Sequence, residues 1–421
     1  MATWRKDFEP SFVTDRIEKS KSVSGDGTAS FPGFSHTEHV SVLASMLCLN
    51  AEIPEDEAHK IVKSACFAAA GAGKVTPVSL CAHAEALERK YLCSPKTQFR
   101  VVTSISADFM AGPVVLRAGS VQLGFGRRPG RTAERLHLER VKEAEHSVWG
   151  TLPDDYSPVL ALVSARNPDE AVNRALDQID LIRAIWNLWK NRGRTRKSGG
   201  KRTPVNSIVL GPIHTLHTVT GELASNSWWY ERTYLGPISV WREAQRHPKM
   251  LEFTKNVRVA ISKISYRSSI EALLVRYVRA LDSRDWNSSF LELWSILEEL
   301  TGTRSLDTHK WTVRRSAFLS KNFGYATQVL NHLRNYRNAA VHNGSERDNV
   351  EPIMYQAKNF VEVLLQFHLA GAGQYKTLDD VAKFLDGPPE LAEIDRQIAR
   401  LKTVRKFIAR KQLIGTERKG N

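Results

Sequence analysis

Asn287-Ser288-Ser289-Phe290-Leu291-Glu292-Leu293-Trp294-Ser295-Ile296-Leu297-Glu298-Glu299-Leu300 reads as one amphipathic helix. Asn287 to Ser289 supply a polar capping start, and Phe290, Leu293, Trp294, Leu297 and Leu300 recur at helical spacing until Gly302 stops the run. The pattern repeats on both sides. Upstream, Ser268 to Leu281 carries Ile270, Leu273, Leu274, Tyr277 and Leu281 on one face. Downstream, further helices are predicted over Trp311 to Leu319, Ala326 to Val341 and Val350 to Leu369. Successive antiparallel helices of this length bury their apolar stripes against one another, which predicts a helical bundle over 257–370.

The preceding region has a different period. Val101 to Ser106, Val114 to Leu116, Val121 to Leu123 and Val159 to Val163 are β-branched and bounded by Gly or Pro, as strands are. A long helix then begins at Asn167-Pro168-Asp169-Glu170 and runs through Ala175, Ile179, Ile182, Ile185 and Trp186. Residues 1–95 read as helical, with Val40, Leu43, Met46 and Leu47, then Ile61, Ala65 and Ala69, then Leu80, Ala84 and Leu87 in periodic register. The expected class is therefore α+β, a mixed N-terminal region followed by an all-α bundle. Segment 96–256 forms the α+β region, alone or as one sensing or regulatory domain with 1–95. Segment 371–421 is a helical extension with Leu391, Ile394, Ile398, Leu401, Val404 and Ile408 on one stripe. That helix is expected to pack on the bundle or on a second subunit, or to lay its basic face on RNA, and ordinary packing is the first choice.

Composition sets the class of partner. A chain of 421 residues exceeds one ordinary core, and 42% hydrophobic with 25% charged residues describes a folded chain rather than a disordered one. Its apolar runs are too short for a bilayer, and Met1 to Asp7 lacks a signal-peptide core, which predicts a soluble cytoplasmic protein. Sixty Lys and Arg against 45 Asp and Glu give a formal net charge of +15, which favours a polyanion such as RNA or DNA, or an acidic protein. The densest cluster is Lys190, Arg192, Arg194, Arg196, Lys197, Lys201 and Arg202, set among glycines. It reads either as a phosphate-contacting arm or as a solvated loop.

No metal or cofactor is expected. The 4 cysteines, Cys48, Cys66, Cys81 and Cys93, form no Cys-x-x-Cys pair, so Cys81, His83 and Cys93 read as core thiols and a neighbouring imidazole before they read as zinc ligands. His36 and His39 mark a helix start without a zincin Glu, and Gly124 to Gly130 has neither Walker nor Rossmann spacing.

The helix over Ala326 to Val341 carries the candidate chemistry. At about 100° per residue, Val329, Leu333, Tyr336 and Ala340 form a core stripe. Asn338 and His342 then fall on the far side one turn apart, Arg334 precedes Asn338 by the same interval, and Arg337 borders the stripe. Asn343-Gly344 is the expected C-cap. A His with an ordinary pKa near ~6.5 can take or give the proton in phosphodiester cleavage, Arg can hold the phosphate, and Asn can orient either. A cap and a solvated face is the plain alternative.

Arg337-Asn338-x-x-x-His342 resembles the Arg-polar-x-x-x-His signature of the HEPN superfamily. Leu293 to Leu300, with Arg314-Arg315 between the two helices, is similar to the Apea-like HEPN branch over roughly residues 260 to 370. The resemblance implies a compact helical bundle, a homodimer whose two motifs meet across a composite cleft, and metal-independent RNA cleavage in antiviral defence, toxin or stress systems. It assigns Arg337, Asn338 and His342 to catalysis and Glu298 to the role of acidic partner. Arg334, Arg314 and Arg315 become candidate RNA contacts, although Arg314, Arg315, Glu298 and Glu299 also read as an ordinary helix surface. Some HEPN domains only bind, so a non-catalytic RNA- or partner-binding module is the rival expectation. Nucleotidyl transfer lacks a Gly-Ser plus paired-Asp arrangement.

Overall fold

The computed structural model describes residues 2–24, 29–31, 35–109, 112–144, 153, 155–191, 203–232, 234, 236, 238–303, 310–343 and 350–417, without the side chains of 35, 244, 341–343 and 411–417. The chain divides into two compact units, Met1–Phe99 with Ser164–Ala171, and Arg100–Val163 with Val172–Asn421.

The first unit holds β1 (Thr3–Trp4), α1 (Ser11–Ser20), β2 (Ser22–Val23), β3 (Ala29–Ser30), α2 (Ser35–Met46), β4 (Leu47–Cys48), α3 (Glu55–Gly71) and α4 (Pro77–Cys93). Its core gathers Val40, Leu43, Ile61, Ala65, Leu80 and Ala84, inward positions of the predicted periodicity, together with Ile17 and Val62. Thr76 caps α4 through a capping box with Ser79, and Pro77 follows at the first helical position. Cys66 lies in this core, and burial pushes its thiol up to about 12.

The second unit contains all or the greater part of β5 (Thr97–Ile105), β6 (Val114–Ala118), β7 (Val121–Phe125), α5 (Arg131–Ala144), β8 (Ser157–Ala165), α6 (Pro168–Lys190), β9 (Ile213–His217) and β10 (Trp229–Tyr230). The strands form one sheet in the order β10-β9-β5-β8-β7-β6. β6 and β7 make a tight hairpin from Val114↔Phe125 to Ala118↔Val121. α6 starts where expected, with Asn167 Oδ1 accepting the Glu170 N–H at 2.8 Å.

The helical part follows as α7 (His247–Lys263), α8 (Arg267–Asp282), α9 (Trp286–Leu300), α10 (Lys310–Phe318), α11 (Phe323–Asn343), α12 (Val350–Ala370), α13 (Leu378–Leu385) and α14 (Leu391–Glu417). The helices begin at His247, ahead of Val257, because Pro248 sits at the start of α7 where its missing N–H costs nothing. α9 is the central helix and packs on α8, α10, α11 and α12, with Phe290, Leu293, Trp294, Ile296, Leu297 and Leu300 all buried. Its cap is Asp285, not Asn287, since the Asp285 carboxylate accepts the Asn287 N–H at 3.0 Å. Gly302 closes the helix at φ +64, a conformation that penalises any side chain.

His368 ties α12 to the end of α9. Its Nε2–H donates to the Leu300 carbonyl at 3.0 Å, which leaves Nδ1 to accept the Tyr266 hydroxyl at 3.0 Å. Burial pushes this imidazole down to about 4, and the Leu300 hydrogen bond opposes that only in part. Above the ordinary His pKa the group is neutral in folded and unfolded chains alike. Below it, the unfolded chain takes a proton that the folded chain refuses, so stability falls as pH falls. The slope is about 1.4 kcal/mol per pH unit and the total roughly 3 kcal/mol by pH 4. His368→Gln should remove that share of the acid sensitivity, read from urea midpoints at pH 7 and 4.5. An unchanged slope would contradict the assignment.

α14 departs from expectation. Leu391 is 74% exposed and Leu401 65% exposed, so the predicted stripe does not pack on the bundle. Among the described residues no helix is long and apolar enough to cross a membrane.

Candidate active site

α11 is launched by Asn322, whose side chain accepts the Tyr325 N–H at 2.9 Å. The buried positions on the helix are Ala326, Leu330, Leu333 and Tyr336, while Val329 is only half-buried. The packed face is therefore rotated from the predicted one toward Leu330. Arg337 follows Leu333 by four residues and Leu330 by seven, which aligns it with the buried positions rather than at their border. It is half-buried, and so are Arg334 and Asn338. Ala340, also partly buried, packs on the bundle core.

Tyr336 fixes the height of this segment. Its hydroxyl donates to Asn287 Oδ1 at 2.7 Å, and its ring meets Phe290 edge-on at 5.0 Å. The end of α11 is thus held against the first turn of α9. The helical backbone continues through His342 to Asn343, which keeps His342 one turn beyond Asn338. The side chain of His342 and the whole of Gly344 lie outside the described residues.

Glu298 sits at the opposite end of α9 from Asn287, and its carboxylate accepts the Trp294 indole N–H at 2.7 Å. Its neighbour Glu299 turns toward α8, where Arg276 donates to it at 2.9 Å and also to Glu292 and Ser295. These contacts build the bundle. They do not join Glu298 to Arg337 or Asn338.

The two arginines of α10 are committed elsewhere. Arg315 forms a bidentate pair with Asp386, at 2.8 and 2.7 Å, and donates its remaining Nη1 to the Thr301 carbonyl at 2.8 Å. Arg314 donates to the Leu385 and Gly387 carbonyls at 3.4 and 3.2 Å. They fasten α13 to the end of α9, so their reading as RNA contacts gives way to a structural one. Lys190 is similarly engaged, donating to Glu243 at 2.6 Å over the face of Trp241. The other basic residues of that run, Arg192, Arg194, Arg196, Lys197, Lys201 and Arg202, lie outside the described residues.

A second group of titratable side chains went unread in the sequence. The run Ile213-His214-Thr215-Leu216-His217 is buried throughout, and strand alternation sends His214 to one face of the sheet and Thr215 with His217 to the other. His217 donates from Nδ1 to the Gly221 carbonyl at 3.0 Å, so its Nε2 accepts from the Thr215 hydroxyl, which in turn accepts from His137 Nδ1 at 2.8 Å. Burial keeps His217 below its ordinary range and His137 down at about 3. On the other face His214 bridges Thr103 and Glu231 at 2.7 and 3.1 Å. His217 and His137 are thus neutral, hydrogen-bonded imidazoles, and His214 is hydrogen-bonded at both ring nitrogens. Among the described residues no three His, Cys, Asp or Glu side chains are arranged to hold a metal. No protein-family model matches the chain, and no curated protein or solved structure matches it either.

Proposed function

We propose that the chain is a metal-independent RNA endonuclease of the HEPN type, with Arg337, Asn338 and His342 as its catalytic set and a second copy completing the cleft. The observation that carries this reading is the half-burial of Arg337 and Asn338, at the end of a helix whose other inward positions are apolar and packed. A guanidinium partly withdrawn from water binds phosphate more strongly than one on an open surface. The formal charge of +15 supports RNA retention.

In the step proposed, the ribose 2′-oxygen attacks phosphorus and loses its proton to a base. The bond to the 5′-oxygen breaks, and that oxygen takes a proton from an acid. The products are a 2′,3′-cyclic phosphate and a 5′-hydroxyl. His342 serves as acid or base. Arg337 offsets the charge that grows on the phosphate, and Asn338 orients the reacting groups. The N-terminal region would control a cytoplasmic effector of defence or toxin type.

The test is incubation of the purified chain with RNA in EDTA. New 5′-hydroxyl ends are expected. RNA retained in a salt-sensitive manner without new ends would favour the non-catalytic binding module instead.

A further inference from the structure

Among the described residues, α14 presents an exposed apolar stripe. Leu391, Ile394, Ile398, Leu401 and Ile408 repeat at alternating three- and four-residue steps, with Arg405 in the remaining core slot. That is a heptad seam of about three repeats. None of these side chains is buried, and Leu401 is 65% exposed.

We propose that α14 pairs with α14 of a second copy as an antiparallel coiled coil. This goes beyond the nuclease reading and does not depend on it. The argument for a second copy, and for its direction, is charge. The first part of the helix balances Glu393 and Asp395 against Arg396 and Arg400, with Glu393 paired to Arg396 at 2.5 Å, whereas Lys402, Arg405, Lys406 and Arg410 make the second part wholly basic. Antiparallel pairing sets the basic part of each copy against the balanced part of the other, which carries Asp395. Parallel pairing sets basic end on basic end and stacks Arg405 on its own copy inside the seam.

Register follows from the same reasoning. With Ile398 opposite Leu401 of the second copy, Leu391 meets Ile408 and Ile394 meets the aliphatic stem of Arg405, whose charge can reach water. The flanking position Asp395 then faces Lys402 of the second copy, twice by symmetry. Sliding the seam one heptad either way brings Asp395 toward Asp395 or Lys402 toward Lys402. Only the central register is attractive at both flanks.

Sedimentation of the full chain at tens of micromolar tests this. The wild-type chain is expected to be dimeric, and Leu401→Asp, an exposed change that leaves the far-ultraviolet circular dichroism intact, monomeric. Asp395→Lys should weaken dimerisation by about tenfold, and Asp395→Lys combined with Lys402→Asp should restore it. A monomeric wild-type chain overturns the proposal. So does a dimer that survives Leu401→Asp, which would mean pairing through another face, or a double variant that stays as weak as Asp395→Lys. Flotation of monomeric chain with vesicles containing anionic phospholipid, lost in Leu401→Asp, would assign the stripe to a lipid surface and overturn it as well. A monomeric wild-type chain would also count against the second copy in the nuclease cleft, whereas a dimer that survives Leu401→Asp, or an unrescued double variant, overturns this proposal alone.

Discussion

Replacing Arg183 with methionine should destabilise the second unit by about 3–5 kcal/mol at neutral pH, the cost of removing one partner from a buried ionic network. Arg183 is almost wholly buried. It donates to Asp180 at 3.1 and 2.7 Å and to Asp282 at 2.8 and 2.7 Å, and Nη1 also reaches the Ile208 carbonyl at 3.3 Å. Burial alone would weaken its charge, but Asp282 and Asp180 more than offset that and raise its pKa. Asp180 keeps a second partner in Arg279 at 2.7 Å, and among the described residues Asp282 keeps only the Asn206 amide at 2.7 Å. Burial already raises the Asp282 carboxyl while Arg183 holds it down, so loss of Arg183 must raise it further. A carboxyl whose folded pKa exceeds its unfolded one binds more protons when folded, so the variant gains stability as pH falls through that raised pKa. The deficit measured in urea should therefore be largest near pH 8 and smaller at pH 5. Arg183→Met with Asp282→Asn should recover part of it, because the orphaned charge is gone. A loss below about 1 kcal/mol at both pH values would mean that the network contributes little beyond packing.

The bundle was legible because helical periodicity is a local property. Leu293, Leu297 and Leu300 announce the buried face of α9, and Val350 to Ala370 reads as a helix from its own spacing. The failures arose where long-range contacts decide. Val329 and Leu330 are both apolar, and only packing against α9 selects Leu330, a rotation that moves Arg337 from the edge of the stripe into it. Asp285 outcompetes Asn287 as the cap because Asn287 instead receives Tyr336 from another helix. Arg314 and Arg315 sit where a phosphate contact is plausible from sequence, but Asp386, remote in the chain, claims Arg315. β9 escaped notice since two histidines and a threonine break an apolar run, although alternation of Ile213, Thr215 and His217 was there to be read. The apolar stripe of α14 was visible, whereas its lack of a partner in the chain was not.

His342→Ala should lower RNA cleavage by about 10²–10⁴-fold, the range expected when a positioned acid or base is removed. The residue follows the half-buried pair Arg337 and Asn338 by one turn on a helix pinned at Tyr336, so the loss should come without loss of fold. Arg337→Lys separates two roles. A lysine keeps the charge but not the bidentate fork, so turnover should fall more than RNA affinity does. Arg337→Ala removes both, and because the position is in line with Leu333, its thermal midpoint should be checked before its activity is interpreted. Cleavage should persist in EDTA and give 5′-hydroxyl ends if side chains alone supply proton transfer and charge stabilisation, as proposed. In the wild-type chain the rate should bend near the ordinary His pKa of ~6.5, and that inflection should vanish in His342→Ala, leaving a flat residual. Cleavage of unchanged rate in His342→Ala would sink the assignment. A variant that retains RNA with wild-type salt dependence yet cuts nothing would show that binding and chemistry reside in different groups, as a proton-transferring His beside a phosphate-holding Arg requires.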